Sequence, residues 1–351
     1  MSYRKNLKPL VSIVIPCRNE AAYIEGVLHS VLKQELPSAQ LEIIVADGMS
    51  DDGTREIISQ LAKEDTRVRL VDNPERITSC ALNHAIHTAR GDIVVRMDAH
   101  TEYALDYIKQ CVTILQETGA GNVGGAWRAV GKSYIQQAIA LSFQSSFSCG
   151  GASSHSLEYE GEVDSVYLGC WKKLTLEKIG LFDEELVRNQ DDELNLRLIK
   201  AGYKILQSPR IKSWYYPRAS IRALFKQYVQ YGYWKVKVIQ KHKIPASLRH
   251  IIPGSFTGLL ILLVALSPLS ILFVWLFLGL IGFYSFVNIL ATIITCSELS
   301  SFKFLPVMPL IFAAYHFGYG YGFIRGIIDL VIFRQKNVNH NLTKITRDFN
   351  V

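Results

Sequence analysis

The stretch "LVSIVIPCRNEAAYIEGVLHSVLKQ" (Leu10–Gln34) decides the architecture. Its first seven residues form a short apolar run rich in β-branched side chains, which reads as a buried strand. A polar loop, "PCRNE" (Pro16–Glu20), follows, and from Glu20 to Gln34 the apolar residues recur at helical spacing. The unit repeats downstream. "LEIIVAD" (Leu41–Asp47) is a strand, and after a turn at Gly53 "TREIISQLAKE" (Thr54–Glu64) is a helix. "VRLVD" (Val68–Asp72), "TSCALNHAIHTA" (Thr78–Ala89) and "DIVVRMD" (Asp92–Asp98) continue as strand, helix and strand. Strands alternating with helices imply an α/β domain with a mostly parallel sheet covered on both faces.

In such sheets ligands sit at the carboxyl ends of the strands. That edge gathers three polar loops: "PCRNE", "DGMSDDGT" (Asp47–Thr54) and "DAHTE" (Asp98–Glu102). No G-x-G-x-x-G follows the first strand, which disfavours a dinucleotide and leaves a mononucleotide open. In the third loop Asp98 and His100 offer two metal-ligating groups one residue apart. The competing reading makes Asp98 the cap of a helix starting near Thr101. "DGMSDDGT" likewise reads as an ordinary Asp/Gly turn if it binds nothing. Arg18, Arg76 and Arg96 face either a diphosphate or surface carboxylates.

The chain has 351 residues, of which 49% are hydrophobic and 20% charged, and its mean hydropathy of +0.15 is high for a soluble enzyme. The excess is local. No charged residue occurs from Ile251 to Cys296, nor from Phe304 to Phe323. A bilayer core of about 30 Å needs roughly 20 apolar residues per helical crossing, so two to three membrane helices are expected, with a turn at Pro268. Basic residues from Arg218 to Arg249 precede the first run, which puts the N-terminal region on the cytoplasmic side of the inner membrane. "LVSIVIP" is too short for a signal h-region. The six cysteines show no C-x-x-C spacing and fit reduced thiols. The net charge of +7 is explained by a basic belt facing anionic lipid, without nucleic acid. The expected organisation is a cytoplasmic domain over 1–245, a membrane domain over 246–335 and a basic tail over 336–351.

"VSIVIPCRNE", "VADGMSDDGT", "VVRMDAH" and "GLFDEELVRNQDDELNLRLIKAGYKI", in that order, resemble the family 2 glycosyltransferases with the GT-A fold. The D-x-H form, "RNQDDELNLRL" and the C-terminal apolar segments are similar to the membrane-bound bacterial exopolysaccharide enzymes of the succinoglycan-biosynthesis type. The resemblance implies roles position by position. Pro16, Arg18 and Glu20 lie near the nucleotide. Asp47 hydrogen-bonds the base, usually uracil, with Ser50 in the same loop and Gly48 where a second acid is common. Asp98 is the first aspartate of the family's D-x-D, and His100 replaces the second. Asp191 is the catalytic base, with Gln190 in place of the preceding glutamate and Asp192 as the alternative base. Gly169, Trp171 and Glu193 fall on the acceptor side. "QYGYW" (Gln230–Trp234) resembles the Q-x-x-R-W of chain-extending members, with Gln230 and Trp234 kept and Tyr233 where arginine is expected.

The chemistry needs these groups. A nucleoside diphosphate leaves with two negative charges, and a divalent cation on its phosphate oxygens neutralises them. A carboxylate such as Asp98 suits Mg2+ or Mn2+, and an imidazole such as His100 shifts the balance toward Mn2+. The acceptor hydroxyl needs a base opposite the leaving group, so single displacement with inversion follows from Asp191. The partners implied are a nucleotide-diphosphate sugar, membrane lipids, a polyprenyl-diphosphate-linked saccharide as acceptor and other polysaccharide-assembly proteins. Alternatives are a processive polysaccharide synthase, a polyprenyl-phosphate sugar synthase and, outside enzymes, a catalytically silent membrane scaffold. The Gly/Ser-rich stretch around His155 reads as a lid or an ordinary surface loop.

Overall fold

The alternation read from the first hundred residues is present in the computed structural model, which describes residues 10–36, 41–245 and 247–335. The expected basic tail lies outside the described residues. The chain divides into two compact units, Met1–Arg128 with Ser156–Tyr215, and Ala129–His155 with Tyr216–Val351.

The first unit opens with β1 (Val11–Cys17), α1 (Ile24–Leu32), β2 (Leu41–Asp47), α2 (Thr54–Glu64), β3 (Val68–Asp72), α3 (Thr78–Thr88) and β4 (Ile93–Arg96). It continues with β5 (Thr101–Tyr103), α4 (Tyr107–Thr118), β6 (Asn122–Gly125) and β7 (Arg128–Ala129). After the excursion into the second unit come β8 (Gly161–Glu162), β9 (Tyr167–Lys172), α7 (Lys173–Ile179), α8 (Gln190–Lys200), β10 (Ile205–Gln207) and β11 (Ser213–Tyr215), numbering the helices of the second unit, α5 (Tyr134–Ser142) and α6 (Ser146–Cys149), between them. The main sheet has the order β3-β2-β1-β4-β9-β6-β10-β8. β1 runs parallel to β2 and β4, and β2 to β3. β9 enters antiparallel to both β4 and β6, which makes the sheet mixed. This is a GT-A-like mixed α/β domain.

Apolar side chains of both sheet faces explain the continuous burial of β1 and β2. Val14, Ile44 and Val94 pack with Leu82 and Ile86 of α3, with Trp171 and Phe182, and with Leu194 and Leu198 of α8. Fully burying a side chain of this size contributes roughly 1.5–3 kcal/mol. Gly169 is required beside Trp171: at φ +148 it lies where a Cβ would sit 2.4 Å from the indole ring.

One expectation and one competing reading are corrected locally. α1 starts at Ile24 rather than Glu20, because the N–H groups of Glu20 and Ala21 are held by Thr54 Oγ1 and Asp52 Oδ2 of the neighbouring loop. No helix begins near Thr101. Thr101–Tyr103 is a strand paired antiparallel with Ser213–Tyr215, so Asp98 is not a helix cap.

In the second unit α9 (Ile221–His242) packs along α12 (Met308–Gly326). Glycines permit the approach: a Cβ on Gly322 would stand 2.0 Å from the Val229 carbonyl oxygen. α9 therefore buries Gln230, Tyr233 and Trp234 against protein, which favours packing over a helix lying on a membrane surface. Two helical stretches, Leu248–Leu266 and Ile271–Glu298, are long and apolar enough to cross a membrane. They include α10 (Ile252–Leu266) and α11 (Ile271–Glu298), and Pro268 lies in the turn between them as expected. The 28 residues of α11 span about 42 Å at 1.5 Å per residue. Many of its apolar side chains are exposed: Trp275 and Phe283 are each 66% exposed. The third apolar run is α12, which is largely buried. Beyond it Asp329, also buried, accepts a 2.9 Å hydrogen bond from Arg325 Nε one turn earlier. The stretch around His155 is not featureless either, since its ring stacks on Phe143 at 5.6 Å.

Candidate active site

Parallel pairing places Cys17 opposite Asp47, so the first two loops leave the sheet side by side and are laced together. Asn19 Nδ2 donates to Asp51 Oδ1 (2.9 Å), and Asp51 N donates back to Asn19 Oδ1 (3.1 Å). Asn19 N also donates to Ser50 Oγ (2.8 Å). Asp47 is fully buried. Its Oδ1 accepts from Ser50 Oγ (2.5 Å), and its Oδ2 accepts from Ser50 N (2.9 Å) and Arg55 Nη1 (2.7 Å). The other arm of Arg55 reaches Asp72 Oδ1 at 2.7 Å. Asp47 thus shapes the loop from beneath. Gly48 takes the place of a second acid because the stem of Arg18 lies across it, with Arg18 Cβ 3.1 Å from where a Cβ on Gly48 would be. Pro16 and Arg18 are half-buried on the same edge.

The third loop is organised by Arg96. Alternation along an extended chain puts residues 96 and 98 on one face. Arg96 Nε and Nη2 grip the two oxygens of Asp98 at 3.0 and 3.3 Å, and Nη1 donates to Asp191 Oδ1 at 2.5 Å. The guanidinium is buried, with its side chain 7% exposed. Burial works against its charge, but Asp191 and Asp98 more than offset that and hold its pKa above the ordinary arginine value. Tyr103 fixes the backbone of the same residue. Its hydroxyl accepts from Asp98 N (2.6 Å) and donates to Asp98 O (3.1 Å). Burial keeps that phenol neutral by pushing its pKa well up. His100 Nδ1 lies 3.1 Å from Glu20 Oε1, which joins the third loop to the first.

Asp191, Asp192 and Glu193 occupy the first turn of α8, after Asn189 in a left-handed conformation (φ 61°). Acids there are favoured by the helix dipole. The three diverge in use. Glu193 is fully buried and paired with Arg197 at 2.7 Å, and Arg197 also donates to the carbonyl oxygens of Ile179 and Leu181, so Glu193 is a structural anchor. Asp192 is half-buried. Asp191 faces Arg96. Its pKa is raised by burial, an effect that the Arg96 charge opposes and that Asp98 and Asp192 reinforce.

The residues expected on the acceptor side are dispersed. Trp171 is 2% exposed, edge-to-face with Phe182 at 6.0 Å; its face belongs to the core and is not presented to a sugar. Gly169 serves that packing and lies opposite Arg96 in the β4–β9 register. Gln230 and Trp234 are buried in the second unit. From the sequence Arg96 faces either a diphosphate or surface carboxylates; its spacing of two from Asp98 was the signal for the clamp that is observed. Nothing in the chain order marked Arg55 or Tyr103.

Among the described residues no three His, Cys, Asp or Glu side chains gather into a metal cage. The donors at hand nevertheless fit a cation that completes its shell with substrate phosphates, which needs only one or two protein ligands. Asp98 supplies a carboxylate. His100 Nδ1 lies beside the Glu20 carboxylate; in the neutral imidazole with the proton on Nδ1, Nε2 would carry the lone pair, as where a carboxylate orients a metal-binding imidazole.

The mixed α/β sheet, with acids at its strand ends and a carboxylate at the start of α8, has the layout of a GT-A-like domain. The profile described as "Glycosyl transferase family 2" matches residues 12–151. The chain is 38% identical over 243 residues to the succinoglycan biosynthesis protein ExoA of Rhizobium meliloti (strain 1021), covering 69% of this chain and 73% of that protein. The chain belongs to glycosyl transferase family 2 and is a glycosyltransferase. It is also 28% identical over 328 residues to a dolichyl N-acetyl-alpha-D-glucosaminyl phosphate 3-beta-D-2,3-diacetamido-2,3-dideoxy-beta-D-glucuronosyltransferase of Methanococcus voltae, with 91% and 97% coverage. Among solved structures it resembles the mannosyltransferase PcManGT of Pyrobaculum calidifontis, in complex with GDP-Man and Mn2+ (TM-score 0.60, 21% identity, covering 91% and 88% of the two chains). That likeness concerns the fold.

Proposed function

We propose that this protein transfers a hexose, with inversion, from a nucleotide-diphosphate sugar to a polyprenyl-diphosphate-linked saccharide in exopolysaccharide assembly. The observation that carries the reading is the pairing of Asp98 and Asp191 through one buried guanidinium. It joins the carboxylate of the strand-end loop to the carboxylate at the start of α8. In this reading the donor, a uridine diphosphate sugar, lies along the laced loops with its base toward Asp47 and Ser50. Pro16, Arg18 and Glu20 line the nucleotide side.

Asp98 and His100 would hold a divalent ion, Mn2+ or Mg2+, which when bound would supply charge neutralisation to the departing diphosphate. Asp191 accepts the proton of the acceptor hydroxyl as the new bond forms. In the metal-free protein burial raises the pKa of its carboxyl, against the pull of Arg96. Asp192 is the reserve candidate. The cytoplasmic face of the inner membrane is the proposed location, with Leu248–Leu266 and Ile271–Glu298 as crossings. A carrier-linked acceptor agrees with that location and with the dolichyl phosphate in the name of the Methanococcus voltae relative. Membrane lipids and other assembly proteins complete the proposed partners.

The test uses the full chain in detergent with bacterial lipid extract and radiolabelled nucleotide sugars, uridine and guanosine forms side by side, with and without EDTA. Label entering lipid only with metal present is the expected outcome. Label in long polymer identifies a processive synthase. Donor binding without turnover of any sugar identifies a scaffold.

A further inference from the structure

We infer that Arg96 is a positioning residue that couples cation binding at Asp98 to the state of Asp191. The inference rests on the reading that Asp98 grips the metal and Asp191 is the base. One guanidinium spends two of its nitrogens on Asp98, at 3.0 and 3.3 Å, and a third on Asp191, at 2.5 Å. Its planar fork holds a fixed geometry, unlike the point charge of a lysine. It is buried and therefore interacts more strongly than a solvent-screened pair.

The charges explain the coupling. With one cation between two carboxylates, each aspartate is only partly neutralised. A dication arriving at Asp98 takes over that neutralisation and repels Arg96, whose interaction then falls mainly on Asp191. Asp191 is thereby oriented and held in its ionised form when donor and metal are both present. Conversely, removing the charge of Asp191 concentrates Arg96 on Asp98, where it competes with the incoming cation. Coupling between two sites is reciprocal in free energy, so an effect of the metal on Asp191 requires an equal effect of Asp191 on metal affinity. The geometry behind it is fixed from outside the pair. Tyr103 pins the backbone of Asp98, and Gly169 stands opposite Arg96 in the sheet.

The experiment measures Mn2+ affinity of the full chain in detergent with UDP present, by the loss of the free-ion electron paramagnetic resonance signal. Asp98→Asn is measured first and is expected to weaken Mn2+ binding. If it does not, the metal reading fails and the inference with it. Arg96→Gln is expected to raise Mn2+ affinity by about 5-fold or more while kcat falls. Asp191→Asn is expected to lower Mn2+ affinity in the wild-type background and to do so by a much smaller factor in the Arg96→Gln background. An Asp191→Asn effect that is equal or larger without Arg96 means direct charge attraction, and overturns the coupling. Arg96→Lys keeps the charge and loses the fork, so there too the Asp191→Asn effect shrinks; this variant decides the matter if Arg96→Gln does not fold. Parallel loss of Mn2+ binding and of thermal stability in both Arg96 variants means a merely structural arginine, and also overturns it.

Discussion

Arg55 and Arg96 each hold two aspartates, and the two clamps serve different ends. Arg55 joins fully buried Asp47 to Asp72, whose side chain is 63% exposed. Arg96, 7% exposed, joins Asp98 at 14% to Asp191 at 35%. In the first clamp one carboxylate is sealed and the other faces water, so the arrangement braces a loop. In the second, the arginine is sealed and its two carboxylates are the more exposed members, as the proposed roles of Asp98 and Asp191 require. The lesson is that a bridging arginine is read from which partner is buried. In this molecule Arg96 is the buried member beneath two part-exposed carboxylates, and Asp47 is the buried member beneath a part-exposed arginine.

The contrast is tested most severely by matched substitutions. Asp191→Asn is expected to lower kcat by about 10²–10⁴-fold, the usual contribution of a positioned base, with donor binding retained. Isothermal titration with the donor and single-turnover transfer check both halves, and loss of donor binding with residual transfer moves the base elsewhere. Arg55→Ala acts on stability, because Asp47 loses a charged partner where water does not reach. Leaving such a buried group under-satisfied costs roughly 1–3 kcal/mol, read as a lowered thermal midpoint in detergent.

A third test uses the raised pKa of Asp191. The base works ionised, so kcat/KM should rise with pH through an apparent pKa above the ordinary aspartate value. The stability sign is opposite. A carboxyl whose folded pKa is raised favours the folded state when protonated, below the unfolded pKa, and that contribution is lost as pH rises through the folded value. An acid limb at the ordinary carboxylate value would place the base in a wetter environment. The smallest effect is expected from Asp72→Asn, the exposed end of the Arg55 clamp. Stability should change by less than about 1 kcal/mol, with kcat unaltered, and a large loss there would erase the distinction between the clamps.

Much of the fold was legible. Leu41–Asp47, Thr54–Glu64 and Val68–Asp72 are strand, helix and strand at the residues read from the sequence, because their periodicity agrees with their burial. The order of loops also gave the edge at which Asp47, Asp98 and His100 gather. The competing reading of Asp98 as the cap of a helix near Thr101 fails because an Asp after a strand imitates a cap, and pairing of Thr101–Tyr103 with Ser213–Tyr215 overrode that local signal. For Trp171 a stacking face toward a sugar competed with the more frequent fate of a buried aromatic, and the structure has it buried.

By itself the sequence determined the α/β alternation, the strand-end acids and an apolar run from Ile251 to Cys296 long enough for two helices with a turn at Pro268, because hydrophobic period and run length are local properties of the chain. Only the tertiary structure decided that Arg96 joins Asp98 to Asp191, residues far apart in the chain. It also decided that Asp47 is sealed beneath Arg55 and that Glu193 is an anchor beside two accessible acids. Ion pairing and burial depend on which distant segments are brought together, and no period in the sequence records that.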